Sequence, residues 1–226
     1  VYAYLKYGLT PVFLSINFRT DGEASQLVTE HLSIPYHVLG EQMSTGEVIG
    51  VLSRGVRVIL VTGTNGKSTT TRMLAAAMRS RFSIATNDGG DNMDAGIISA
   101  LLAGKDASHI VLEVDELHVP AVAERLRPEV MVLLNLTRDQ LDRVGEINKI
   151  ERALRRAVTA HPDMLVIANC DDVLMTSVAF DAPNVIWVSA GAGWIGDSVS
   201  CPRTGGHVVR EQNDWWAVKP LPDGRT

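Results

Sequence analysis

Cysteine is nearly absent: the 226 residues hold two, Cys170 and Cys201, too few for a disulfide framework and in keeping with a reducing compartment. Excess positive charge is absent as well. The 21 Lys and Arg stand against 26 Asp and Glu, and the net charge of −5 excludes a basic face built for nucleic acid. No apolar run reaches the length of a membrane span, and the opening Val1-Tyr2-Ala3-Tyr4-Leu5-Lys6 lacks the basic start and small-residue cleavage site of a signal peptide, so the expected location is the cytoplasm. There is no internal repeat and no low-complexity tract, and no Pro/Gly/Ser linker separates the first 55 residues from the rest. With Val at one end and Pro-Leu-Pro-Asp-Gly-Arg-Thr at the other, the chain reads as a fragment. What is left is the composition of an ordinary soluble core, 46% hydrophobic and 21% charged, long enough for one large domain or two small ones.

Against this background one stretch stands out. Residues 63–71 read Gly-Thr-Asn-Gly-Lys-Ser-Thr-Thr-Thr and follow the apolar run Val56-Arg57-Val58-Ile59-Leu60-Val61. A buried strand that breaks into a glycine turn and a Lys-Ser-Thr helix start is a phosphate-binding arrangement. Gly63 and Gly66 let backbone N–H groups approach an anion, and Lys67 adds a mobile point charge. A helix beginning near Ser68 aims its free N–H groups and the positive end of its dipole at the same oxygens, and the Ser68 or Thr69 hydroxyl is placed to ligate magnesium. The ligand these parts fit is a nucleoside triphosphate with magnesium. One departure from the general P-loop pattern stands at position 61, where that pattern has Gly and this chain has Val. A ligand-free turn between strand and helix would use the same glycines, but it gives a Gly-Lys-Ser at a helix start little purpose.

From residue 56 onward, strand-length apolar runs alternate with helical periods, the signature of parallel βαβ units. Strands are expected over 56–61, 82–86, 109–114, 130–135, 165–169 and 185–188, and helices over 67–79, 94–102, 119–126, 147–159 and 172–179. The fold class is therefore α/β: a mostly parallel sheet with helices on both faces, a P-loop-type nucleotide-binding site and a loop-rich C-terminal tail. Asn87, Asp115, Asn135 and Asn169 fall where strands end, the edge at which open parallel sheets bind ligands. Residues 1–55 read as strand, helix, strand, helix (12–18, 23–31, 36–39, 46–52), either extending the sheet or forming a small N-terminal unit of unclear origin packed on it. Residues 56–190 form the nucleotide domain. From Gly191 on, Gly193, Gly196, Gly205 and Gly206 join Gly191 in breaking any period, and an irregular tail is expected over 191–226.

Three separated segments carry a family resemblance: the loop Gly63–Thr71, the strand end Leu112-Glu113-Val114-Asp115-Glu116, and Asn135-Leu136-Thr137-Arg138-Asp139-Gln140-Leu141-Asp142-Arg143. Together they resemble the ATP-binding central domain of the Mur ligase superfamily, and most of all its MurT branch. Ala85-Thr86-Asn87, Asn92-Met93, Ala95-Gly96-Ile97, Asn169-Cys170-Asp171-Asp172 and Ser200-Cys201-Pro202-Arg203 support it, over about residues 56–206. Gly-Thr-Asn-Gly-Lys-Ser/Thr is that superfamily's own form of the loop, so Val61 is no defect within it. The resemblance implies the synthetase subunit of a lipid II isoglutaminyl synthase, in which the glutaminase GatD supplies ammonia. The α-carboxylate of D-glutamate in lipid II, at the inner membrane face, is activated by ATP as an acyl phosphate and amidated to D-isoglutamine. ADP and phosphate are the other products.

Carboxylate attack on a γ-phosphate brings two anions together, which calls for magnesium and Lys67. On this reading Gly63, Thr64, Asn65, Gly66, Lys67, Ser68 and Thr69 bind ATP, and Ser68 and Glu113 hold magnesium. Lys67 and Glu113 act as the catalytic pair, and Asn169 matches the family's adenine contact. Asn135, Asp139 and Gln140 shape the site, Gln140 standing where related ligases carry a metal-binding His; turn and cap roles explain Asn135 and Asp139 equally well. A solvated turn explains Asp115 and Glu116 as well as metal binding does. Asp171 and Asp172 read as caps of the next helix, Arg138, Asp142 and Arg143 as surface ion pairs, and His118 as a helix-start or surface histidine. Lys149 has the wrong spacing for the modified lysine of other Mur ligases, and Trp215 and Trp216 read as packing residues.

The resemblance also has gaps. MurT chains carry a four-cysteine zinc ribbon; here Cys201 stands alone, with Thr204 at the second position, so no zinc is expected and the tail is a remnant of that insertion. The sequence stops short of the family's C-terminal domain. Two alternatives stay open: another Mur-type ligase, such as a folylpolyglutamate synthetase relative, against which Asp139-Gln140-Leu141-Asp142-Arg143 argues, and an ATP-binding module without full activity.

Overall fold

The structure is a computed structural model, and it describes residues 2–5, 12–15, 49, 52–87, 94–104, 106–137, 144–191, 199–211 and 214–225. Its central feature is a mostly parallel six-stranded sheet. In chain order the elements are β1 (Tyr2–Leu5), β2 (Val12–Ser15), β3 (Arg57–Thr62), α1 (Lys67–Met78), β4 (Ile84–Thr86), α2 (Asp94–Ala103) and β5 (His109–Glu113). They continue with α3 (Val119–Leu126), β6 (Val130–Leu133), α4 (Val144–Ala160), β7 (Leu165–Asn169), α5 (Val173–Ala179), β8 (Val185–Val188), β9 (Val208–Glu211) and β10 (Asp214–Ala217). The six-stranded sheet has the order β4-β5-β3-β6-β7-β8, so the direction of winding reverses at β3. Pairing is parallel between β4 and β5, β6 and β7, and β7 and β8. In such sheets the reversal point is where ligands sit, beyond the carboxyl ends of the strands.

Burial explains why these runs became strands. β3 is buried from its second residue onward and β5 throughout, which is why both read as unbroken Val/Ile/Leu rather than as an alternation. Leu60 and Val61 are wholly inaccessible, and each such side chain contributes roughly 1.5–3 kcal/mol. At the far edge β8 leaves Ile186, Trp187 and Val188 between 40% and 50% exposed.

The chain divides into two compact units. One comprises Val1–Leu60, Ser68–Val114 and Ala121–Pro128; the other comprises Val61–Lys67, Asp115–Pro120 and Glu129–Thr226. In the first, β1 and β2 form an antiparallel two-stranded sheet of their own, so these strands do not extend the main sheet. The expected elements over 23–31 and 36–39 lie outside the described residues. Ile49 and Leu52, in the last expected helix, are helical and buried.

In the second unit, α4 begins at Val144, three residues before the expected start, because Gly145 is accommodated in its first turn instead of breaking it. The tail is more ordered than its glycines suggest. β9 and β10 pair antiparallel, and the turn before them is closed by Gly205 N–H to Cys201 O and Cys201 N–H to Gly206 O, both 2.8 Å. Trp215 fastens this hairpin to the domain by donating Nε1–H to the Cys170 carbonyl at 2.8 Å. Among the described residues, no helix is long and apolar enough to cross a membrane.

Candidate functional site

The loop after β3 is built from its neighbours. Position 61 lies inside the strand, which runs on through Thr62, so it needs no glycine dihedrals and Val61 is free to fill the core. Gly63 is the first residue past the strand, with φ of 140°. A Cβ there would sit 2.9 Å from the backbone N and O of Asn135 and from Leu134 Cβ, so both the dihedral and the space demand glycine. Gly66, with φ of 86°, turns the chain into α1, which begins at Lys67. No acidic residue occupies the first turn of α1, so nothing there neutralises the positive end of its dipole. Ser68 is half-buried and Thr69 exposed.

Lys67 folds back over the loop. Its Nζ donates to Gly63 O at 2.7 Å and Thr64 O at 3.3 Å, and lies 3.8 Å from Glu116 Oε2. Both side chains are mostly shielded, 15% exposed for Lys67 and 10% for Glu116. A solvated turn and metal binding both remained open for Glu116; the structure pairs it with the loop lysine.

Asn135 carries the loop's outer wall. Its Oδ1 accepts from Asn65 N at 3.0 Å, its Nδ2 donates to Asn65 O at 2.9 Å, and its backbone carbonyl accepts from Thr64 N at 2.8 Å. The side-chain amide thus pairs with a backbone as a neighbouring strand would. Thr137 adds two contacts: its N–H donates to Thr64 Oγ1 at 3.0 Å and its hydroxyl accepts from Asn65 Nδ2 at 3.2 Å. Neither Thr64 nor Thr137 was assigned this role from sequence. Hydroxyl and amide residues at both ends of neighbouring strands were the available signal.

Asn169, at the end of β7, donates Nδ2–H to Leu134 O at 2.8 Å and accepts from Asp171 N at 2.9 Å. Asp172 is the N-cap of α5. Asp171 is not a cap; it binds Ser189 Oγ and Ala190 N, both at 2.8 Å.

In the other unit, Glu113 ends β5 and is only 2% exposed. Asn87 grips its backbone from both sides, accepting Glu113 N–H and donating to Glu113 O, each at 2.9 Å. Among the described residues Glu113 Oε2 is buried without a hydrogen-bond partner. A buried carboxylate oxygen left without a donor is costly unless a cation meets it, so this donor set fits magnesium. Asp115 instead closes a turn, accepting Leu117 N–H at 3.0 Å through Oδ1 and His118 N–H at 2.9 Å through its carbonyl. His118 is the last residue before α3. Lys149 is exposed on α4. Arg138, Asp139, Gln140, Asp142 and Arg143 lie outside the described residues.

Below the tail hairpin lies a cavity of about 550 Å³ whose walls include Cys170, Phe180, Trp187, Cys201, Arg203 and Trp215. Arg203 closes one side, donating to Asp181 Oδ2 at 2.6 Å and to the Ser177 carbonyl, with its guanidinium over the Phe180 ring. The Arg203 hydrogen bond holds the Asp181 carboxyl below the usual carboxylate range. Burial, assisted by Asp171, pushes the Cys170 thiol up, away from the thiolate that metal binding requires.

Comparison with known proteins converges on one family. The model of the Mur ligase middle domain matches residues 61–201. The MurT subunit of lipid II isoglutaminyl synthase from Streptococcus pneumoniae is 31% identical over 133 residues, covering 57% of this chain and 30% of that protein. The corresponding Staphylococcus aureus subunit is 27% identical over 158 residues, covering 66% of this chain and 36% of its own. This chain therefore spans about a third of the length of these relatives. Among solved structures, MurF from Thermotoga maritima in complex with ADP superposes with a TM-score of 0.53 at 20% identity, over 72% of this chain and 36% of that one. The matched residues take in the glycine loop, Glu113, Asn135 and Asn169, and the chain belongs to the Mur ligase middle domain family.

Proposed function

We propose that this chain is the nucleotide-binding part of an ATP-dependent carbon–nitrogen ligase of peptidoglycan synthesis, of the MurT kind. The observation that carries the reading is the cradle at residues 63–67: a glycine with no room for a Cβ, a loop backbone gripped by Asn135, and a lysine shielded against its own loop. Gly63, Thr64, Asn65, Gly66, Lys67, Ser68 and Thr69 hold the phosphates of ATP, and Asn169 faces the base. Ser68 and Glu113 hold magnesium, which neutralises the phosphate charge when bound. Asn135, Asp139 and Gln140 complete the site. Residues 56–190 make up the nucleotide domain, with 1–55 and 191–226 attached to it.

The amidation reading follows the likeness to the streptococcal and staphylococcal subunits. A carboxylate oxygen of the D-glutamate residue in lipid II attacks the γ-phosphorus and ADP leaves. Ammonia, supplied by the glutaminase GatD, then adds to the acyl phosphate carbon and phosphate departs, leaving D-isoglutamine. Lys67 withdraws from its loop carbonyls to meet the transferring phosphoryl group, where its charge offsets the approach of two anions. The reaction belongs on the cytoplasmic side of the membrane, where ATP is available.

The test is reconstitution: this chain with GatD, glutamine, magnesium-ATP and lipid II, read by mass spectrometry of the muropeptide. Amidated product supports the synthetase reading. Magnesium-dependent ATP binding without product supports a second one, an ATP-binding module without full activity.

A further inference from the structure

The strand β6 ends at Leu133, yet its pairing does not. Residues 134–137 continue as a ribbon whose ladder is carried on by side chains and loop backbone. Toward the glycine loop, Leu134 N–H donates to Thr62 O at 3.0 Å, Asn135 brackets Asn65, and Thr137 N–H reaches Thr64 Oγ1. Toward β7 and α5, Leu134 O accepts from Asn169 and Leu136 N–H donates to Asp172 Oδ2 at 2.9 Å. These four residues are thus held from both sides.

Asp172 divides its two oxygens between separate tasks. Oδ1 accepts from Leu174 N at 2.8 Å and Met175 N at 2.9 Å, which is all that capping α5 requires. Ser, Thr or Asn caps a helix about as well with one oxygen. The second carboxylate oxygen is what Asp adds, and it is spent on Leu136 N–H, midway between the two residues that hold the loop. We propose that Asp172 is a positioning residue for the phosphate loop, acting through Leu136 to fix Asn135 and Thr137 against Thr64 and Asn65. The inference rests on the reading of residues 63–69 as a phosphate site.

Asp172→Asn separates the two tasks. Its single carbonyl oxygen keeps the cap, and its NH2 then faces the Leu136 N–H, donor against donor. Hydrogen exchange on the full 226-residue chain without nucleotide reads the relay itself. The Leu136, Thr64 and Asn65 amides exchange faster in the variant while those of α5 stay protected. Magnesium-ATP affinity falls about tenfold, the scale of one lost charge-assisted hydrogen bond. Asn135→Ala weakens binding as well, and the double variant loses less than the sum of the two single losses, since the two act partly along one path. Asp172→Ser, which also retains a cap oxygen, provides the same comparison if the Asn variant folds poorly.

Faster exchange at Leu136 with Thr64, Asn65 and ATP affinity unchanged overturns the proposal, because the bond is then lost without consequence for the loop. Loss of protection confined to α5 overturns it too, reducing Asp172 to a cap. If the loop amides respond as expected but wild type does not bind ATP, the relay stands and the phosphate reading falls.

Discussion

Gly63→Ala tests the cradle most sharply, because the structure says how the added methyl fails. The residue sits at φ of 140°, and the new Cβ would lie 2.9 Å from three atoms of Leu134 and Asn135. Holding a non-glycine residue at such a dihedral costs of order 1–3 kcal/mol. Crowding a carbon about an ångström inside its preferred 3.5–4.0 Å separation adds roughly 1–3 kcal/mol, as for overpacked cores. Relief is not available on the β6 side, since Asn135 O accepts from Thr64 N and the Asn135 amide brackets Asn65. The loop must yield, and it yields at the proposed phosphate site. Gly55→Ala is the reference: φ there is 79°, and nothing lies within 4 Å of the added carbon, so only the dihedral cost applies. Urea unfolding and nucleotide titration of both variants separate the terms. Gly63→Ala should lose about 1–3 kcal/mol more stability than Gly55→Ala, the steric share, and should weaken ATP by tenfold or more while Gly55→Ala leaves it unchanged. Equal behaviour of the two variants would mean that the close approach of Leu134 and Asn135 to Gly63 does not shape the loop.

Two further outcomes follow from particular side chains. Glu113→Gln removes a charge from a carboxylate whose Oε2 is buried without a described partner, so stability without metal stays level or rises, while the gain in ATP affinity on adding magnesium drops about tenfold. An unchanged magnesium dependence would remove Glu113 from the metal site. Asp181 is held below its ordinary range by Arg203, so its contribution is complete above the usual carboxylate pKa of about 3.9 and is lost as pH falls through the lower folded value. With the carboxylate half exposed the effect is at most about 1 kcal/mol, seen as an acid-induced change in Trp215 fluorescence that Arg203→Gln diminishes, Arg225 remaining as a second partner. A change of undiminished size in Arg203→Gln assigns the transition to another group.

The strands were legible because their burial is carried by composition: β5 is buried at every residue and could hardly be written otherwise. The loop was legible because glycine and lysine at that spacing serve few purposes. Val61 shows the limit of pattern matching, since whether the position needed glycine depended on where the strand ended. The hairpin within the tail was not legible for a related reason. Its order comes from Trp215 reaching Cys170 and Arg203 reaching Asp181 and Ser177, contacts far apart in the chain that leave no local period. The same holds for Glu151, a charged residue on the buried side of α4 that accepts the Ser177 hydroxyl at 2.7 Å. The second task of Asp172 was hidden by its first, because a helix cap already explained the residue.

Binding of a nucleotide's phosphates by the loop at residues 63–69 is the step on which the proposed function depends. Calorimetric titration of magnesium-ATP into the wild-type chain and into Lys67→Ala tests this directly. Binding should be saturable and magnesium-dependent, and should weaken about 10- to 100-fold on losing one charged donor. Equal affinity of the two proteins would rule out a phosphate site at this loop.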